Sequence, residues 1–299
     1  MAGAEGASRF ERGMSAGTAV SRLRRSGVVL LTAGILVAAA VVAILAPWIA
    51  PADPDKVDIA NRLRPPGWSQ AGGPVRLFGT DQLGRDMLSR VIYGARVSLF
   101  VGLMSVFGAG GIGVALGVIA GFHGGRVDDV IMRVLDIQQS VPFLALAIAM
   151  VAVLGPGLQN IIIVLWIAGW TLYARIVRGE TLSIREKEYV TAARALGARN
   201  ARILARHVLP NILSPILVIA TFTFSHMIIT EATLTFLGLG VQPPTATWGA
   251  MLSDGRNYMQ VAWWLPTFPG LILVLVVVSA NLLGDWIRDV LDPTLRQTL

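Results

Sequence analysis

The sequence predicts an all-α integral membrane protein with six transmembrane helices, and three observations carry that prediction. Of 299 residues, 54% are hydrophobic and only 14% charged, about half the charge of a typical soluble domain. Uncharged runs long enough to cross about 30 Å of hydrocarbon, roughly 20 residues as a helix, recur along the chain. Basic residues, giving a net charge of +7, flank those runs, which fits the positive-inside bias of a protein in a lipid bilayer better than a nucleic-acid partner. Open strands are excluded because unpaired backbone groups in lipid cost several kcal/mol each. With no cysteine, disulfides, thiolate metal sites and cysteine nucleophiles are excluded.

The first span is Val28 to Ala46, behind a tail carrying Arg9, Arg12, Arg22, Arg24 and Arg25. The tail is too long, and the apolar run too extended, for a cleaved signal peptide. The second is Val97 to Phe122, where Ala109, Gly113, Gly117 and Gly121 recur every four residues and form a stripe that admits close approach of another helix. Ile137 to Ala174 is too long for one span, and Gly155-Pro156-Gly157 divides it into a hairpin of spans three and four. Val208 to about Leu237 gives span five, with Pro215, His226 and Glu231 inside it, and about Pro269 to Gly284 gives span six.

Six spans place both termini on one side. With the tail inside, inner segments hold 17 basic residues and outer ones 8, so the tail is read as cytoplasmic. Seven of the eight outer residues fall between Pro51 and Arg96, Arg85, Arg90 and Arg96 among them, a local departure from the bias. The aromatic cluster Trp248, Tyr258, Trp263 and Trp264 lies between spans five and six and reads as an interfacial anchor.

Between spans four and five, Arg175 to Arg206 carries eight basic and three acidic residues yet keeps helical spacing. Tyr189, Val190, Ala193 and Leu196 define one apolar face, and Gly197 is a helix stop because glycine tolerates the left-handed conformation after a C-cap. A second helical piece with Ile203 and Leu204 runs to Leu209-Pro210. Such a segment suits either a bed of anionic headgroups or a docking partner.

The run Thr191-Ala192-Ala193-Arg194-Ala195-Leu196-Gly197, followed by Leu209 and Pro210, resembles the cytoplasmic loop of bacterial ABC importer permeases. That pattern is Glu-Ala-Ala, three residues, Gly, nine residues, Ile, one residue, Leu-Pro; Thr191 replaces its Glu and His207 its Ile. Three further stretches narrow the resemblance to the C-type, second permease subunit of the dipeptide and oligopeptide group: Phe78 to Asp86, Glu231 to Gly240 leading into Pro243-Pro244 and Trp248-Gly249, and Gly284-Asp285-Trp286 with Asp289 and Asp292-Pro293.

The resemblance implies a type I ABC importer permease architecture with a cytoplasmic coupling loop at about 185–208. It implies a peripheral part over residues 1–95 (tail, first span and external connection) and a five-helix core over 96–299. It implies a second permease subunit as heterodimer partner, two cytoplasmic ATPases, an extracytoplasmic substrate-binding protein, and a place in the bacterial cytoplasmic membrane with both termini inside. Short peptides are the leading cargo, with nickel chelates or glutathione as alternatives; a passive channel or membrane receptor is the reading from another class. Thr191, Ala192, Ala193, Gly197, Leu209 and Pro210 are the expected contacts to the ATPase.

No catalytic, cofactor or metal site is expected in this chain. Its only lysines, Lys56 and Lys187, stand outside any Gly-Lys-Ser/Thr phosphate loop. The three histidines, His123, His207 and His226, are not in His-Glu-x-x-His spacing, and no Gly-x-Ser-x-Gly elbow occurs. Glu231 and His226 are candidates for lining the path or for bonding within the bundle, since a charged group near the bilayer centre costs roughly 2.5–3.5 kcal/mol unless it finds partners. Five residues apart, they lie about 140° from each other around the helix.

Overall fold

The computed structural model describes residues 27–69 and 75–291. The arginine-rich tail and Asp292-Pro293 therefore lie outside the described residues. Among the described residues ten α-helices follow one another: α1 Gly27–Ile49, α2 Met87–His123, α3 Gly125–Gln139, α4 Phe143–Leu154, α5 Leu158–Arg185, α6 Glu188–Ala195, α7 Asn200–Ile203, α8 Leu209–Phe236, α9 Trp248–Arg256 and α10 Trp264–Leu291. No strand forms among the described residues, only two isolated bridges.

Among the described residues five helices are long and apolar enough to cross a membrane: α1, α2, α5, α8 with the turns before it, and α10. The sixth crossing is built differently from the expected straight span beginning at Ile137. α3 and α4 meet at a bend of 88° across Ser140-Val141-Pro142. Pro142 disfavours helical backbone at the residue before it, so the chain breaks there. At the far side of this pair, Gly157 donates to the Gly240 carbonyl beyond the end of α8. At the near side, Arg185 from the end of α5 donates to the Gly121 and Phe122 carbonyls at 3.2 Å. The bent pair thus runs from one end of the bundle to the other and completes six crossings.

Charges made the first half of this crossing look like a loop. In the fold two of them pair with α5: Arg178 forms a two-pronged contact with Asp128 at 2.5 and 2.6 Å, and Arg175 bonds Asp136 at 2.8 Å. Gln138 continues the seam, donating to the Ile167 carbonyl and accepting from the Trp170 indole.

The glycine stripe of α2 packs on α5. A Cβ on Gly113 would fall against the Trp170 carbonyl and Tyr173, one on Gly117 against Ala174 and Val177, and one on Gly121 against Arg178 and Thr181. Around this contact sits the main apolar core, with Val101, Ala109, Ile161, Leu165, Tyr173 and Leu234.

The connection between α1 and α2 folds as a cap on its end of the bundle. Asp81 accepts from the Leu83 and Arg85 amides and from Arg85 Nε at 2.6 Å, and lies 3.6 Å from Arg90 Nε. Asp86 caps α2 through Ser89, Arg85 also faces Asp254, and Arg90 faces Asp55. Arg85 and Arg90 are therefore buried and paired, which explains their departure from the positive-inside bias.

The aromatic cluster departs from the expected anchor. Trp248 is wholly buried and donates to the Val91 carbonyl; Trp264 is buried and donates to the Thr80 carbonyl. Only Trp263 stands out, 56% exposed. Indoles whose N–H groups find partners inside a fold have no need of a headgroup layer.

Candidate functional site

The loop end of the bundle gathers around a second apolar cluster: Phe122, Val177, Ile184, Val190, Ile203, Val208 and Ile212. Val190 fixes α6 into it, and Ile203 fixes α7. The expected face divides, since Tyr189 is exposed and Leu196 is 90% exposed. One side of α6 is thereby seated on that cluster, against α5 and α7, while Thr191, Ala192, Arg194, Ala195 and Leu196 present an uncovered surface.

Gly197 ends α6 with φ +83°. The Ala198 amide bonds the Ala193 carbonyl and the Gly197 amide bonds the Arg194 carbonyl, the paired bonds of a Schellman stop. Nothing lies within 4 Å of a Cβ placed there, so backbone conformation rather than crowding selects glycine. Leu209 and Pro210 open α8 and are both exposed, behind a widened π-type turn over Leu204–Val208. Pro210 has no N–H to close a normal turn before it. Asn211 instead donates to the His207 carbonyl at 2.6 Å.

The two titratable residues of α8, His226 and Glu231, are separated by the fold. Glu231 is fully buried and accepts from Thr235 Oγ1 at 2.9 Å and Ser98 Oγ at 3.3 Å. Ser98 Oγ in turn accepts from the Trp248 amide, and Thr235 Oγ1 from the Val241 amide. Glu231 thus joins α2, α8 and the segment leading to α9. His226 faces the other way, exposed, with its ring edge-on to Phe143 at 5.9 Å.

A feature that the sequence did not reveal lies beside His226. An open cavity of about 370 Å³ separates α4, α5 and α8, lined by Phe143, Ala168, Leu172, Thr223, His226 and Met227 among others. It depends on the break at Pro142, which brings the start of α4 to the middle of α8. The only signal for it in the sequence was Val141-Pro142 inside an apolar run.

Helical crossings with a charged pair of short helices at one end describe a multi-pass membrane protein. Comparison with known proteins gives its kind. The chain belongs to the binding-protein-dependent transport system inner membrane component family, whose profile matches residues 113–297. The N-terminal transmembrane domain of oligopeptide transport permease C matches residues 16–66.

The di/tripeptide transport system permease protein DppC of Pseudomonas aeruginosa is 47% identical over 85% of this chain and 84% of its own. The dipeptide transport system permease protein DppC of Haemophilus influenzae is 42% identical over 86% and 88%. The probable D,D-dipeptide transport system permease protein DdpC of Escherichia coli is 42% identical over 91% and 89%. Among solved structures, the inward-facing MetNI methionine ABC transporter matches with a TM-score of 0.58 at 22% identity, over 69% of this chain and 98% of that one. An amino acid ABC transporter matches at 0.53 and 16%, over 68% and 94%. These two show the fold. The chain is a multi-pass ABC transporter permease, a transport subunit.

Proposed function

We propose that this chain forms one half of the membrane path of an ATP-driven importer that carries short peptides inward across the bacterial cytoplasmic membrane. The peptide cargo is inferred from relatives named for dipeptide and di/tripeptide transport. The other half of the path is a sister permease; two cytoplasmic ATPases drive it and an extracytoplasmic binding protein delivers the peptide. Residues 1–95 are the peripheral part and 96–299 the transporting core.

The loop end, with Arg126, Arg185, Lys187, Arg194, Arg199, Arg202 and Arg206, faces the cytoplasm, and so do both termini. This orientation is supported by the pairing of Arg85 and Arg90 at the other end, which removes them as free charges.

One observation carries the coupling role: α6 is seated through Val190 while Leu196, outside any span, is 90% exposed. Thr191, Ala192, Ala193 and Gly197 form the small-residue surface that the ATPase grips, and Leu209 and Pro210 pass its displacement into α8. The ATPase dimer then shifts the population of two bundle orientations as nucleotide binds and leaves.

The test is reconstitution with the sister permease, ATPases and binding protein in liposomes, measuring dipeptide uptake and ATP hydrolysis together. Gly197→Arg, which forces a Cβ onto a φ of +83°, leaves the spans assembled and hydrolysis running but abolishes uptake. Gly197→Asn, tolerant of that conformation, retains most uptake. Full uptake by the arginine variant refutes the coupling role, and uptake without ATP refutes the importer.

A further inference from the structure

We infer that the cavity between α4, α5 and α8 is a station in the path that holds the terminal carboxylate of the cargo peptide, an inference resting on the peptide-import reading. His226 lies ten residues before the end of α8, about 15 Å at 1.5 Å per residue, which is half of a hydrocarbon core of about 30 Å. An exposed imidazole at that depth is unfavourable against lipid and belongs on a wetted surface. The wall around it is mostly apolar, with Phe143, Leu172 and Met227 beside Thr171 and Thr223, and contains no acidic side chain.

Three kinds of donor lie in or beside the cavity, with Phe143 the residue of α4's first turn on its wall. α4 begins at Phe143 in mid-membrane, and its N-cap residue Pro142 supplies no side-chain acceptor. Its first intrahelical bond is from the Leu146 amide to the Pro142 carbonyl, so the amides of Phe143, Leu144 and Ala145 form the free, positively polarised end of the helix. Thr223 lines the same cavity with 3% exposure, and its hydroxyl makes no hydrogen bond. The Tyr173 hydroxyl is its neighbour, yet the two form no bond of normal length and angle. A buried hydroxyl without a partner is rare unless something else is to bind it. The His226 ring, edge-on to Phe143 and with Nδ1 3.5 Å from Thr230 Oγ1, offers a donor at Nε2 when that nitrogen carries the proton.

Amides, a hydroxyl and an imidazole set in apolar walls match a carboxylate flanked by a side chain of variable size. That is the chemistry every free peptide shares. Interrupted helices whose N-terminal ends meet an anionic substrate near the bilayer midplane follow the same physics.

The chain has no cysteine, so Leu172→Cys, on the cavity wall and 47% exposed in the parent, introduces one thiol. In the full permease–ATPase complex in detergent, a hydrophilic thiol reagent should label it. A dipeptide with a free carboxylate should slow labelling, its C-terminal amide should not, and adding His226→Phe should weaken protection about tenfold, as expected for one charge-assisted hydrogen bond. Thr223→Val, nearly equal in shape, should weaken it less. Labelling that no peptide slows, that both peptides slow equally, or that fails altogether overturns the inference. ATP-driven uptake by the unsubstituted complex is scored separately: uptake with an unprotected cavity removes the station and leaves the importer, whereas no uptake of any peptide removes the importer itself.

Discussion

Replacing Gly117 by alanine tests the contact that organises the bundle. Its Cβ would stand 2.7 Å from the Ala174 carbonyl oxygen, 3.0 Å from Val177 Cβ and 3.1 Å from Ala174 Cα, where ordinary contact begins at 3.4 Å. The shortfall is about 0.7 Å (3.4 minus 2.7), and two of the three atoms are backbone, which no rotamer change can move. α2 and α5 must separate locally, an overpacking that costs about 1–3 kcal/mol. Against this stands the helix-propensity gain of alanine over glycine, up to about 1 kcal/mol. Gly111, in the same helix, isolates the packing contribution, because nothing lies within 4 Å of a Cβ there and the propensity gain is shared. In thermal melts of purified complex followed by size-exclusion chromatography, Gly117→Ala should melt below Gly111→Ala by about 2–4 °C for each kcal/mol. Equal melting of the two variants refutes the assignment of the α2 stripe to the α5 contact.

Asp81→Ala should loosen the cap, since the carboxylates it leaves to Arg85 and Arg90 are Asp254 at 3.6 Å and Asp55 at 3.7 Å, beside the Pro54 carbonyl that Arg90 also reaches at 3.3 Å. Breaking a buried pair costs about 3–5 kcal/mol, and the remaining contacts put this case at the lower end; limited proteolysis should cut within residues 52–86, and Asp81→Asn should resist better. Glu231→Gln keeps an acceptor for Thr235 and Ser98 and should lower stability by about 1 kcal/mol, while Glu231→Ala strands both hydroxyls and opens a void, costing about 2 kcal/mol or more in melting experiments. If instead Glu231→Gln leaves melting unchanged but alters uptake, Glu231 belongs to the path. Leu196→Asp changes nothing inside the bundle, yet in the proposed importer it should weaken ATPase binding by about 10–100-fold, the worth of burying one leucine. Pull-down with the ATPases at matched expression measures it.

Straight apolar runs were legible because hydropathy and length suffice for them: α1, α2, α5, α8 and α10 each contain an uncharged stretch, although α2 begins before Val97 and α5 continues past Ala174 to Arg185, into the segment read as a charged loop. The stripe Ala109, Gly113, Gly117 and Gly121 was legible for the same reason, since a four-residue repeat fixes one helix face whatever packs on it. The α3–α4 crossing was not, because Asp128 and Asp136 count as polar until Arg178 and Arg175, some 40 to 50 residues away, pair with them. Trp248 and Trp264 misled in the opposite sense: aromatic residues near a span edge suggest headgroups, and only tertiary contacts with Val91 and Thr80 place them inside. Gly197 was readable as a helix stop, but the split between seated Val190 and exposed Leu196 required knowing which helices lie beneath α6.

These features converge on α8. Its first turns share a cluster with Val190 and Ile203, its middle presents His226 and Thr223 to the cavity, and its end is tied through Glu231 and Thr235 to α2 and the approach to α9. A body held at its far end and pushed at its near end moves most at the near end and little at Glu231, so α8 would swing rather than translate. Pro215 inside the helix removes one intrahelical bond between the loop cluster and the cavity, which sets the flexible point below Thr223. In the proposed importer a push on α6 would therefore open the cytoplasmic side of the cavity while the cap side stays closed. Pro215→Ala stiffens that point without touching either end, and it should slow uptake per ATP hydrolysed while leaving peptide protection of Leu172→Cys intact. Loss of protection instead would mean that the bend shapes the cavity itself rather than its opening.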